Sequence, residues 1–231
     1  MRALATVAVI AAVCGVGSPI LPTASATPTT CASLSGVIDA SQQCQIRRTD
    51  PSYSLDISFP VDYPDQQVIL DYVTQTRDGF INVAKSPAPQ MKPYELDTTA
   101  TKYTASSPKR SSQSIVFKTF QDVGGAHPQT FYKSFTWDRN ARKAVTIEDL
   151  FDPGAQPYAV LAPLVQSELS KQSGLPVLIP PGVGLNPDTY RNFALTDDAL
   201  LFFFDQGVAL PESAGALQVS IPRSAVESLL A

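Results

Sequence analysis

Apolar and polar positions alternate with period two over several stretches of this chain, the pattern of a half-buried strand. From Ser52 to Phe59, Tyr53, Leu55, Ile57 and Phe59 fall on one face, and Ser52, Ser54, Asp56 and Ser58 on the other. The segment YELDTTATKYTA, rich in Thr and Tyr, reads as a further strand. SIVFKTF sets Ile115, Phe117 and Thr119 against Val116, Lys118 and Phe120, and FYKSFTW puts Phe131, Phe135 and Trp137 on one face. Two shorter strands are expected around Thr196-Asp197-Asp198, with Leu200 to Phe204 apolar on both faces and therefore central and covered. ALQVSI is the last strand.

The period changes to helical in two places. Val68, Ile69, Tyr72, Val73, Thr76, Phe80, Val83 and Ala84 share one stripe, which predicts a helix from about Pro64 to Ala84. Pro64 suits the first helical position, and Asp65 complements the positive end of the dipole. Leu161, Leu164, Val165, Glu168 and Leu169 predict a second helix from Pro157 to Ser173, ended by Gly174 and open to a kink at Pro163. Thr146 and Asp149 sit at capping-box separation and predict a short helical turn. Ser224 is placed to cap a final helix reaching Leu230. PVLIPPGVGLNPD reads as a stiff loop, and SSPKRSSQ, with Lys109-Arg110, as a polar turn whose basic pair is simply a wet face.

Residues 1–26 fall outside this pattern. Arg2, an apolar run from Ala3 to Val13 and Ala24-Ser25-Ala26 have the layout of a secretory signal with a small-residue cleavage site, too short for a membrane span. Cys14 lies within it, and Val13 before it is too large for a lipoprotein processing site. The expected product begins at Thr27 and is soluble and exported. Its roughly 205 residues suffice for one core or two closely joined subdomains. The division expected is 1–26 signal, 27–113 strand-helix-strand segment with the Cys31–Cys44 loop and 114–231 second segment, the last two forming one compact unit.

The whole chain has 17 basic and 21 acidic residues, and without Arg2 the net charge is −5. Such an acidic balance, with no stripe of Lys or Arg, carries no footprint for nucleic acid or for an anionic membrane surface. Twenty prolines imply many ordered, irregular connections. Beyond residue 26 the cysteines are Cys31 and Cys44, thirteen positions apart, and export places them in an oxidising compartment, so a disulfide is expected. No CxxC spacing supports a redox or metal pair instead, and no metal or cofactor is expected.

Candidate chemistry concentrates in QDVGGAHPQT, residues 121–130, which holds the single histidine between two predicted strands. Gly124 and Gly125 free the backbone before His127, and Pro128 holds it out of helical geometry after it. An esterase built here would use His127 as base and Ser134 or Ser114 as nucleophile. Asp122 or Asp138 would orient the ring, and the amides of Gly124, Gly125 and Ala126 would serve as oxyanion donors. His127, Ser134 and Asp138 are the selected set. No G-x-S-x-G elbow accompanies them, and the plainer alternative has His127 bonding its own loop. Asp197-Asp198 and Glu148-Asp149 raise calcium or general-acid chemistry, against a solvated turn and a dipole-compensated helix start.

The ordered series Gly124-Gly125-Ala126-His127-Pro128, Trp137-Asp138, Ile147 to Phe151, Asn192-Phe193, Thr196-Asp197-Asp198, Phe202 to Phe204 and Val219 to Pro222 resembles the extracellular domain of RsiV-type proteins. With Cys31, Cys44 and Tyr63 to Gln67 added, nearly the whole mature chain is similar to the secreted immunogenic antigens of mycobacteria. The resemblance implies an exported α/β (α+β) protein with a mixed, largely antiparallel sheet of β-grasp character and packed helices. It also implies a role at or outside the cell envelope. RsiV-type domains sense a lysozyme by binding it, and some mycobacterial relatives are described as carboxylesterases. This chain lacks the sigma-factor-binding part and membrane span of RsiV, so transmembrane signalling is not implied. Two functions follow as expectations: binding of a host or envelope protein partner, or hydrolysis of a small ester.

Overall fold

The computed structural model describes residues 27–87, 93–106 and 111–231. The expected signal segment with Cys14, the Lys109-Arg110 turn and part of the proline-rich connection before Tyr94 lie outside the described residues.

Among the described residues ten strands form two sheets. The larger has seven in sequence order: β1 (Val37–Ile38), β2 (Gln43–Asp50), β3 (Tyr53–Pro60), β4 (Tyr94–Ser106), β5 (Ser111–Asp122), β6 (Gln129–Asp138) and β7 (Lys143–Ala144). All neighbours pair antiparallel except β3 and β4, which are parallel, Tyr53 standing beside Tyr94. A parallel pair requires a crossover, and helix α2 (Gln66–Lys85) supplies it. The expected division at 113/114 falls inside β5. The second sheet holds β8 (Phe193–Leu195), β9 (Ala199–Phe204) and β10 (Leu217–Pro222), with β9 central. The mixed, largely antiparallel architecture with packed helices is therefore present.

The alternation read from the sequence decides which face each strand buries. Tyr53, Leu55, Ile57, Phe59, Leu96, Ile115 and Phe117 point to α2 and meet its buried Ile69, Val73 and Phe80. Asp65 is the N-cap of α2 rather than its first-turn acid, accepting from the Val68 amide at 3.3 Å. The other face of the large sheet is covered only in part: Val116 with Tyr103 and Tyr132 meets Ala194, Leu201 and Phe203 of the second sheet. Phe202 and Phe204, on the reverse of β9, pack with Leu161, Val165 and Leu169 of helix α3 (Pro157–Ser173). One strand thus belongs to two cores, which is why its sequence shows no polar side.

The short helix α1 (Thr27–Ser33) is tied to β2 by the Cys31–Cys44 disulfide, Cα–Cα 5.6 Å. Both cysteines are fully buried among Leu34, Ile46 and their neighbours. Strand β2 itself, QCQIRRTD, is not anticipated by the alternation because only its first half faces the core.

Three further expectations are corrected. The final helix is two separate 3-10 turns, Arg223–Ala225 and Glu227–Leu229, because Leu229 and Ala231 bond back to Asp152 and Leu150 rather than continuing a helix. The stiff loop after Gly174 contains a single helical turn, α4 (Pro181–Gly184), and a 3-10 turn, Pro187–Tyr190, fixed by the Tyr190 hydroxyl donating to Gly184 O at 2.7 Å. Burial pushes that phenol up to about 12. At Thr146–Asp149 the box is one-sided: both the amide and the hydroxyl of Thr146 donate to the Asp149 carboxylate.

Candidate functional site

The β5–β6 hairpin projects His127 from its tip, as the flanking strand patterns require. Gly124 takes φ +69°, a conformation other residues adopt with strain, and its amide donates to Asp122 Oδ1 at 2.9 Å. Gly125, Ala126, His127 and Pro128 are exposed.

The ring of His127 is held from two sides. Nε2 lies 2.8 Å from Glu212 Oε2, and Nδ1 lies 2.9 Å from Gln129 Nε2. The tautomer that satisfies both carries its proton on Nε2, donating to Glu212 while Nδ1 accepts from the Gln129 amide. The 3.4 Å contact of Nδ1 with Pro128 O is the alternative use of that nitrogen, so the ring bonds its own hairpin and adds the long-range contact to Glu212.

Glu212 comes from the irregular segment 205–215, which docks along the tip of the hairpin. The Gln206 amide donates to Thr130 O at 3.0 Å, and Gln206 Oε1 accepts from Thr130 N at 3.1 Å. Gly207, at φ +82°, passes so close to Glu212 that a Cβ there would meet Glu212 Cγ at 2.9 Å. The docking continues along β6 through side chains. Asp205 Oδ1 accepts from Tyr132 N at 2.6 Å, Asn192 Oδ1 accepts from Ser134 N at 3.1 Å, and Asn192 Nδ2 donates to Tyr132 O at 3.0 Å. Three side chains therefore stand where a neighbouring strand would otherwise sit. Burial raises the Asp205 carboxyl above its ordinary range, against the Tyr132 amide and Arg191, which pull it down. Burial likewise raises the phenols of Tyr132 and Tyr103, which both pack on Phe203.

The structure does not bring the sequence-selected set together. Ser134 is five residues up β6 from Gln129, about 17 Å at strand rise, and Asp138 is about 30 Å away at the far end. The Ser134 hydroxyl accepts from Phe193 N at 2.9 Å and approaches Arg191 O. Asp138 accepts the amides of Asn140 and Ala141, both at 2.8 Å, and so fixes the turn into β7. Ser114 is buried against Thr136 at 2.9 Å. Asp122 is spent on Gly124, which also withdraws that amide from the oxyanion donors; Gly125 and Ala126 retain exposed backbone. Among the described residues the partners of the imidazole are Glu212, Gln129 and Pro128, none of them a serine.

Ser134 instead lines a cleft of about 320 Å3 beside β6, with Phe135, Trp137, Tyr63, Arg191 and Glu148. That volume is in the range of small-ligand sites, but no imidazole reaches it. Of the acidic pairs, Asp197 Oδ1 accepts from Ser106 N at 2.6 Å and so ties the second sheet to β4, and Asp149 caps Thr146. Among the described residues no group of three His, Cys, Asp or Glu is placed to hold a metal ion.

Sequence reasoning missed Glu212, Gln206 and Asp205, and singled out Asn192 only within the Asn192-Phe193 motif, without its role against β6. Each sits in a connection without periodicity, and nothing local marks it as facing the hairpin.

Residues 148–224 match the family described as "Protein of unknown function (DUF3298)". Across 99% of both chains this protein is 45% identical to "Esterase Rv3036c" of Mycobacterium tuberculosis. It is 47% identical to "Immunogenic protein MPT64" of the same species, over 90% of this chain and 91% of that one. A solved DUF3298 family protein from Pseudomonas aeruginosa PAO1 shares the fold, with a TM-score of 0.53 at 15% identity, covering 86% of this chain and 96% of that one. Among the described residues no helix is long and apolar enough to cross a membrane.

Proposed function

This chain belongs to the family that contains immunogenic protein MPT64 and esterase Rv3036c, and from that premise we propose that it is an exported binding protein for a host or envelope partner. Its recognition surface is the pair of loops 123–128 and 205–215. The observation that carries this reading is the His127–Glu212 contact at 2.8 Å. It joins two exposed loops, one leading directly into β6 and turned by the Gly124–Asp122 bond, the other bonded to Thr130 of β6 through Gln206, and so presents a pre-ordered surface; a partner that meets pre-ordered groups loses less conformational entropy on binding. Both ring nitrogens are engaged, which suits recognition better than proton transfer.

A second reading, hydrolysis of short-chain esters, is favoured by the same contact together with the name of the 45% identical relative. A carboxylate holding Nε2–H leaves Nδ1 as the basic nitrogen. In that reading Gln129 turns aside and Nδ1 takes a proton from water as its oxygen attacks the ester carbonyl. The exposed amides of Gly125 and Ala126 face the developing oxyanion, and the imidazolium returns the proton to the leaving alcohol. No serine is required.

Turnover of p-nitrophenyl acetate and octanoate by the mature protein separates the two. The binding reading expects no rate above that of the heat-denatured sample. A wild-type rate that falls at least a hundredfold in both His127→Ala and Glu212→Ala, with the fold retained, overturns it in favour of the second.

A further inference from the structure

On the far side of the turn that supplies Glu212 lies a cavity of about 390 Å3 lined by Leu169, Gln172, Ser173, Leu210, Ala214 and Leu217. It is walled by the end of α3, the start of β10 and the 3-10 turn Glu212–Ala214. Four of its six lining side chains are hydrocarbon and none is charged. The two polar ones sit together at one side on α3, Gln172 donating to Gln218 O at 3.0 Å and Ser173 bonding Leu175. Leu210 and Ala214 flank Glu212 in sequence, so the carboxylate that holds His127 and the wall of the cavity belong to one short turn. At two residues and about 2 Å of rise each, they are separated by only a few ångströms along the turn axis.

A cavity of ligand size with apolar walls and a few polar groups at one side is the usual form of a small-molecule site. We propose that this one takes the hydrocarbon chain of a medium-length acyl ester, with the ester group at the Gln172–Ser173 side. The absence of charge among the lining residues selects a neutral ester over a free fatty acid, because a carboxylate there would lose hydration without gaining a cation. The site shares the 205–215 segment with the protein-recognition surface proposed above, through Leu210 and Ala214, and its occupancy does not depend on hydrolysis. Where the ester is hydrolysed, the same pocket sets the preferred chain length.

The test titrates mature protein carrying 13C-labelled leucine methyl groups with 2-decanone, a neutral carbonyl chain that cannot be hydrolysed. Saturable shifts at Leu169, Leu210 and Leu217 are expected, with decanoate binding more weakly. Ala214 is exposed, so Ala214→Trp fills the cavity without invading a core and is expected to weaken binding about tenfold or more, a difference of about 1.4 kcal/mol. Leu178→Ser, on the exposed loop after α3, leaves it unchanged. Three results overturn the proposal: no saturable shift, shifts confined to Leu175, Leu178 and Leu185, or full affinity in Ala214→Trp. Decanoate binding as tightly as the ketone overturns the choice of a neutral ester. These outcomes are independent of whether p-nitrophenyl esters turn over.

Discussion

Asn192→Ala is the sharpest probe of how the two sheets are joined. Asn192 is 5% exposed, and its amide makes two bonds to the open edge of β6, one accepted from Ser134 N and one donated to Tyr132 O. Truncation leaves one backbone N–H and one C=O without these partners in a half-buried site. Each orphaned group costs about 1–3 kcal/mol when buried. The two together give about 2–6 kcal/mol, the lower part of the range applying if water enters the vacated space. Urea unfolding of the oxidised protein measures the sum through the midpoint at constant m-value. Hydrogen exchange locates it: the amides of Ser134 and of Phe193, which donates to Ser134 Oγ, should lose protection before that of Phe117 in the other core. A shift below about 0.5 kcal/mol, the range of ordinary surface substitutions, would refute the account of a side chain replacing a strand. So would unchanged protection at Ser134.

Replacing both Cys31 and Cys44 by Ala should lower stability by about 3 kcal/mol in the chain-entropy treatment of a loop this short, read by the same urea titration with and without reductant. Gly36→Ala should also destabilise, by about 1–3 kcal/mol, because its Cβ would lie 2.7 Å from Cys44 Sγ and 2.8 Å from Cys31 Sγ. Asp205 has its carboxyl raised by burial. A group that holds its proton more tightly when folded favours the folded state below its unfolded value, and this contribution is lost as pH rises through the folded one. Asp205→Asn keeps the acceptor for Tyr132 N and removes that loss. Its stability relative to wild type should therefore rise between pH 4 and pH 7, and a variant that instead loses ground over that interval contradicts the assignment.

Residue order alone made β3, β5, β6, α2 and α3 readable from period two or period 3.6, although β5 is buried on both faces, Ile115 and Phe117 toward α2 and Val116 toward the second sheet. The central placement of β9 was equally visible, because a strand covered on both sides must be apolar on both. Strand β2 was hidden, since Arg47, Arg48 and Thr49 lie beyond the core and the buried half is just Cys44 and Ile46. The hairpin site was half legible. Glycines, proline and the flanking alternation placed His127 at a tip. Its acidic partner, however, is chosen by the docking of one irregular segment on another, which no local periodicity encodes. Asp138 looked available because it lies close in sequence, but the turn after β6 consumes it.

The seven-stranded sheet ends on both sides in strands of only two residues, β1 and β7. Long bare margins are where foreign chains add and fibrils begin, and on β2 the strand β1 shields Cys44 and Gln45. Ile38 of β1 is paired with Cys44, which the disulfide fastens to α1. The shielding of that end of β2 is thereby coupled to redox state, and an oxidising milieu holds it in place.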